Sequence, residues 1–256
     1  LSLANIHKGR QVRPRRILIY GVHKIGKSTF AAMAPDPIFV PTEDGADGID
    51  VDKFPLAESY DDFMANLTTL ATEEHDYGTA VIDSADWLEP LVWGRVIKER
   101  PRTEKGVEVK DIDDYGYGKG FGYATSWWSE VLKALNYLRL KRQMNVVVIA
   151  HAKIERFESP TTDAYDRYSP KLHKQANAML QEWADDILFA NYRTYTRSED
   201  MGFNKERAVA TGSGERVLFT TERPAHIAGN RCGLPDEIAL DWREYARYAF
   251  NQGETA

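Results

Sequence analysis

Short apolar blocks alternate along the chain with longer amphipathic stretches. Arg16-Ile-Leu-Ile-Tyr20 is a compact apolar run closed by Gly21, which predicts a buried strand. Residues 27–34 then read as a helix ended by Pro35, and Pro37 to Val40 as a second strand. Ser59-x-x-Asp62 resembles a capping box, and Phe63, Leu67 and Leu70 continue it at helical spacing. Thr79 to Asp83 is a third strand, and Leu88, Leu91, Val92 and Val96 form a further helical face. Residues 100–122 break the pattern and run into the Tyr/Gly-rich stretch from Asp114 to Tyr123. Trp128, Val131, Leu135 and Leu138 mark a long helix. Asn145 to Ala150 is a fourth strand, so apolar that both its faces must be covered.

A polar segment, residues 152–173, separates that strand from a helix carrying Ala176, Met179, Leu180 and Trp183. Ile187 to Tyr192 is a fifth strand. Arg207 to Thr211 and Arg216 to Thr221, joined by Gly212-Ser-Gly214, read as a β-hairpin with a glycine turn. A last helix follows near Asp241 to Phe250. The alternation up to about residue 194 predicts an α/β fold, a mostly parallel sheet with helices on both faces, to which the C-terminal hairpin is an addition. The expected organisation is a basic N-terminal arm over residues 1–14, one domain over 15–250 with hairpin and last helix from about 205, and a tail over 251–256.

Composition narrows the class. The chain has 256 residues, 43% hydrophobic and 28% charged, enough to bury a core without staples. The net charge of -6 advertises neither a nucleic-acid coat nor a membrane surface. No apolar run approaches the ~18 residues of a spanning helix, and no leader-like stretch opens the sequence. The single Cys232 excludes an internal disulfide and a Cys-built zinc site. An intracellular location is the expectation. The first 16 residues carry Lys8, Arg10, Arg13, Arg15 and Arg16 and no acid, and read as a basic arm, a solvated tail sooner than a nucleic-acid arm.

One motif carries specific chemistry. Gly21-Val22-His23-Lys24-Ile25-Gly26-Lys27-Ser28 fits G-x-x-x-x-G-K-[ST], and it sits between a strand and a helix as a phosphate-binding loop must. Its backbone N–H groups, through Thr29, would cradle phosphate oxygens. Lys27 would neutralise the β- and γ-phosphates of ATP, and Ser28 would offer its hydroxyl to Mg²⁺. Such a loop needs a second metal group at a strand end, and Asp83 supplies it. Asp86 reads as the cap of the next helix. Hydrolysis also needs a group that orients water. The place beside Asp83 is taken by Ser84, which leaves Glu43, beyond the second strand, where strand ends gather around a ligand. His151 closes the fourth strand and could report the state of the nucleotide to the segment after it.

Together these residues resemble the RecA-like P-loop ATPases, and most closely the small phage-encoded members that act in single-strand annealing and recombination; the resemblance spans about residues 15–245. It implies a RecA-like P-loop NTPase core, Glu43 as catalytic glutamate and Asp83 as metal aspartate. It also implies a polar sensor, commonly Gln, where this chain has His151. Gly229-Asn-Arg-Cys-Gly233 resembles a Lys-Asn-Arg-Phe-Gly stretch whose basic residues act on a neighbouring subunit's nucleotide. Here Gly229 replaces the lysine, so the trans role rests on Arg231. The resemblance further implies a homo-oligomer, ring or filament, with nucleotide at the subunit interface, no membrane, and a cytoplasmic setting, that of a bacterial host if the protein is phage-encoded.

Single-stranded DNA is the implied partner. Residues 152–174 interleave Lys153, Arg156, Arg167, Lys171, His173 and Lys174 with Phe157, Tyr165 and Tyr168, basic groups for phosphates and rings for bases. Acids in the same segment bring its net charge near neutral. The Tyr/Gly segment 115–123 with Lys119 is a second candidate surface. The expected function is thus a Mg-ATP-dependent, DNA-stimulated ATPase of phage-type recombination or annealing. The rivals are a nucleoside or nucleotide kinase and a nucleotide-switched regulator without turnover.

Overall fold

A computed structural model describes residues 6, 9, 13–45, 47–200 and 206–250. Its centre is a sheet in the order β3-β2-β4-β5-β1-β7-β8-β9. The strands are β1 (Arg16–Gly21), β2 (Pro37–Pro41), β3 (Asp52–Lys53), β4 (Thr79–Asp83), β5 (Asn145–Phe157), β6 (Tyr165–Pro170), β7 (Asp186–Asp200), β8 (Glu206–Phe219) and β9 (Glu237–Ala239). From β3 to β7 the neighbours are parallel; β8 and β9 add antiparallel strands.

The central parallel strands β1, β2, β4 and the first half of β5 are apolar blocks because each serves two cores. Leu18 and Tyr20 of β1, with Val146 and Val148 of β5, face the larger one. It is closed by α2 (Tyr60–Thr72), α3 (Ala85–Glu99), α4 (Lys119–Lys141) and α5 (Lys174–Trp183). Ile17, Ile19, Val147 and Ile149 face the other, covered by α1 (Lys27–Ala32) and α6 (Trp242–Ala249). Ser59 caps α2 as expected, accepting the backbone N–H of Asp62 at 3.1 Å. The α/β fold with helices on both faces is therefore as the sequence predicts.

Four local expectations are corrected. Gly212-Ser-Gly214 is not a turn: β8 runs through it and pairs with β7 as far as Glu206 opposite Asp200, and residues 201–205 lie outside those described. The register slips between Tyr192/Arg216 and Thr194/Gly212, with Gly214 at φ +75°, so the glycines form a bulge. The polar segment after the fourth strand is a second hairpin. β5 continues past His151 to Phe157 and pairs antiparallel with β6. His151 therefore lies within a strand, at the point where β5 leaves the parallel sheet. Asp86 is not the cap of α3; Ser84 occupies that position and Asp86 holds His151 instead. Arg15 and Arg16 are no part of a free arm: they pair with Asp186 and Asp185 at the N-terminal ends of β7 and β1. Most of residues 1–14 and all of 251–256 lie outside the described residues.

Candidate nucleotide-binding and catalytic site

The C-terminal ends of β1, β2, β4 and the parallel part of β5 converge on one edge of the sheet. β5 lies between β1 and β4, so His151 pairs with Gly21 while Ile149 pairs with Asp83. The loop from Gly21 to Ser28 starts against β7: a Cβ on Gly21 would stand 2.1 Å from the Ala190 carbonyl oxygen, so no larger residue fits. Lys27 opens α1 and is buried, and its ammonium donates to the carbonyls of Gly21 and Val22 at 3.2 and 3.0 Å. That places one cation inside the curl of the loop.

Ser28 and Asp83, 55 residues apart, meet here: Ser28 Oγ donates to Asp83 Oδ2 at 2.7 Å. A hydroxyl and a carboxylate so close are the hard oxygen donors that suit Mg²⁺, whose remaining positions go to water and phosphate oxygens. The Asp83–Ser84 peptide is cis. Thr42 ties the end of β2 to that of β4, its Oγ1 donating to the Ser84 carbonyl at 2.6 Å and accepting the Ser84 N–H at 2.9 Å. Glu43 is thereby carried beside Asp83. His151 is fixed twice by Asp86, through its backbone N–H and its Nδ1, each at 2.9 Å. Its ring stacks on His23 of the loop at 4.4 Å between centroids. His23, Lys24, Gly26 to Thr29, Glu43, Asp83 and His151 all line one cleft of about 400 Å³.

In comparison with known proteins, the AAA domain family matches residues 13–232. The chain belongs to the AAA domain family. A curated relative, the SPbeta prophage-derived uncharacterized protein YorG of Bacillus subtilis (strain 168), is 25% identical over 219 residues, 84% of this chain. The chain spans 58% of that relative's length. Among solved structures, the RadB recombinase crystal structure aligns with 81% of this chain and 80% of its own, at 15% identity and a TM-score of 0.44.

The electrostatics of the AAA domain's cleft follow from burial. Burial raises the Asp83 carboxyl above its usual range, against the pull of Ser28 and Lys27. It raises Glu43 too, with the neighbouring Asp83 adding to the shift and His151 opposing it. Burial lowers the Lys27 ammonium, opposed chiefly by Asp83. His23 is lowered, first by the imidazole of His151. Asp86 is buried, which raises it, but the hydrogen bonds from His151 outweigh this and leave it low. A larger open pocket of about 670 Å³ lies at the far edge of the sheet beside β3, among Asp36, Asp50, Asp52 and Asp76. It holds none of the loop's residues.

The remaining sequence candidates lie away from the cleft. Arg231 is at the opposite edge of the sheet: its Nη1 is 3.4 Å from Asp185, and its side chain is 62% exposed. Asp236 and Glu237, the acids nearest it in sequence, pair with Arg223 and Arg193 instead. Arg156 of the β5–β6 hairpin is exposed, as are Lys171, just past β6, and Lys174, which opens α5. Lys153 donates to the Leu172 carbonyl at 2.7 Å, and Arg167 lies over the Phe157 ring at 3.9 Å. Phe157 and Tyr165 pack on each other at 5.4 Å. Tyr168 turns inward and stacks on Phe189 at 5.0 Å, so its ring is spoken for. Of the Tyr/Gly segment, Lys119 to Tyr123 begin α4, while Tyr117 is fully exposed.

The sequence missed Asp86 as the anchor of His151. Its only signal was a position three residues after Asp83, on the first turn of the next helix. It also missed Arg216, which arrives beside the loop from 191 residues away, its Nη1 3.4 Å from the Ile25 carbonyl.

Proposed function

We propose that this AAA domain is a Mg²⁺-dependent ATPase that acts on single-stranded DNA in phage-type recombination or strand annealing. The observation that carries the ATPase reading is the 2.7 Å contact of Ser28 with Asp83, in one cleft with Lys27, Glu43 and His151. The loop from Gly21 to Thr29 would bind the phosphates, and Lys27 would offset charge on the β- and γ-phosphates. Ser28 and Asp83 would hold Mg²⁺, which supplies further charge neutralisation there when bound. Glu43 would orient the attacking water and accept its proton as the bond to the γ-phosphorus forms and ADP leaves. His151 would follow the γ-phosphate, and Arg231 would serve the nucleotide of the next subunit in a homo-oligomer.

The DNA and phage parts rest on the RecA-like resemblance, the prophage origin in the relative's name, and the exposed cations of the β5–β6 hairpin and the turn into α5. No helix among the described residues is long and apolar enough to cross a membrane. The test is phosphate release from Mg-ATP with and without single-stranded DNA, on wild type, Lys27→Ala and Glu43→Gln. Turnover stimulated by DNA is expected, with weakened ATP binding in Lys27→Ala. Glu43→Gln should bind ATP but turn over at least ~10²-fold more slowly. Phosphate appearing on an added nucleoside would make the protein a kinase. Tight binding without turnover would make it a switch.

A further inference from the structure

We propose that Tyr192 and Arg216 form a subsite for the nucleoside of the bound nucleotide, on the flank of the loop away from Asp83. This rests on the reading of Gly21 to Ser28 as an ATP site.

Tyr192 and Arg216 stand directly opposite one another in the antiparallel β7–β8 register, so their side chains share a face. The next pair inward, Ala190 and Leu218, packs with α1. By the two-residue period of a strand, Tyr192 and Arg216 lie on that same face. β1 ends at Gly21, which pairs with Ala190, so both residues sit just past its end, alongside the loop. The contacts of Arg216 agree. A Cβ on Gly26 would stand 3.0 Å from Arg216 Nη1 and 3.6 Å from Leu240 Cδ2.

Arg216 is exposed and, among the described residues, has no carboxylate partner. Its near neighbour Arg193 is instead held by both Glu215 and Glu237. Arg216 thus adds an uncompensated cation to a loop that already carries Lys24 and Lys27. Tyr192, across the ladder from it, is 41% exposed.

The direction of the nucleotide follows from the other flank. Asp83, Glu43, His151 and His23 all gather on the β4–β5 side, which fixes the reacting end of a triphosphate there. A phosphate chain crossing the loop from that side delivers its nucleoside to the β7–β8 flank. A guanidinium and a phenol ring side by side offer a base two flat faces, one cationic and one aromatic, with Leu240 as an apolar floor. A desolvating cation–π or stacking contact of this kind is worth about tenfold in affinity.

The experiment compares Mg-ADP with Mg-pyrophosphate by calorimetry, because only the first carries a nucleoside. Arg216→Ala and Tyr192→Ala should each weaken ADP about tenfold and leave pyrophosphate unchanged; Arg216→Lys should recover only part of the ADP affinity. Equal losses for both ligands would assign Arg216 to the phosphates and overturn the subsite. Unchanged ADP affinity in both alanine variants would overturn it as well. The underlying reading fails separately, if Lys27→Ala binds both ligands as wild type does or wild type binds neither, and the subsite then falls with it. Unaltered melting temperatures are expected because both side chains are exposed; should one variant melt early, the other carries the comparison.

Discussion

Glu89 sits on α3 with 5% of its surface exposed, and its two carboxylate oxygens accept the His173 backbone N–H at 2.9 and 3.1 Å. Burial outweighs that bond and the nearby Lys153 and pushes the carboxyl up to about 7. The folded protein therefore takes up a proton that the unfolded chain has already released, and the sign follows. The stabilising effect of the protonated form is complete below the ordinary carboxyl range and is lost as pH rises through about 7. Glu89→Gln keeps an oxygen for the His173 N–H and removes the charge. It is expected to change stability little near about pH 5 and to add on the order of 1–3 kcal/mol near about pH 8. Urea unfolding at the two pH values measures this. A variant less stable than wild type at the higher pH would mean that the carboxylate is held by more than the bond to His173. Asp83 and Glu43 are raised by the same cause but face the cleft, where a bound cation would reverse it.

At the scale of elements, β5 joins the site to the β5–β6 hairpin without a break. His151 is fixed by Asp86 on one side, and its carbonyl accepts the Lys171 N–H at 2.8 Å on the other. A shift of His151 on nucleotide binding would thus reach Lys171 through one hydrogen bond, with Lys174 three residues further on. If the hairpin meets DNA, replacing both lysines by Ala should weaken single-strand binding and reduce the slope of log affinity against log salt by about 1–1.5. ATP affinity should not change. An unchanged salt slope, measured by fluorescence anisotropy, would move the DNA surface elsewhere. The parallel strands and the P-loop were legible in the sequence for physical reasons. A strand covered on both faces is an apolar block, and a phosphate loop is a local motif. The hairpin was not legible because its charges read as loop: Glu155 faces Arg167 and Arg156 faces Asp166 across the ladder, so the apparent neutrality was cross-strand pairing. Gly212 and Gly214 misled in the opposite way, as a bulge that reads like a turn. Tyr168 reads as a surface ring in the sequence because its inward partner, Phe189, lies on another strand. Asp86–His151 and Arg216 depend wholly on which strands become neighbours, and no spacing in the chain encodes that.

At the scale of the whole molecule, the two ends of the sheet carry different halves of the proposed chemistry. The P-loop is at the C-terminal end of β1, whereas Arg231 is anchored on Asp185 beside Arg16 at its beginning. Ala190, the partner of Gly21, lies five positions along the chain from Asp185, or about 16 Å at ~3.3 Å per residue. Arg231 therefore cannot serve the cleft of its own chain, and its exposed guanidinium is free to meet another. Copies stacked with the start of one sheet against the cleft of the next would bring Arg231 to a neighbour's γ-phosphate. Its planar fork suits phosphate oxygens there. An arginine delivered in trans is worth ~10³–10⁵ in rate. Arg231→Ala and Lys27→Ala should then each be nearly inactive alone. Mixed, some interfaces would join an intact loop to an intact Arg231, and part of the turnover should return. The comparison to make is ATP turnover of the mixture against the sum of the two variants, with co-assembly verified by size. Recovery above the sum supports the trans role. Co-assembly without recovery, or an Arg231→Ala variant as active as wild type, would leave Arg231 as a partner of Asp185 alone and return the search for a trans group to the other exposed cations of that edge.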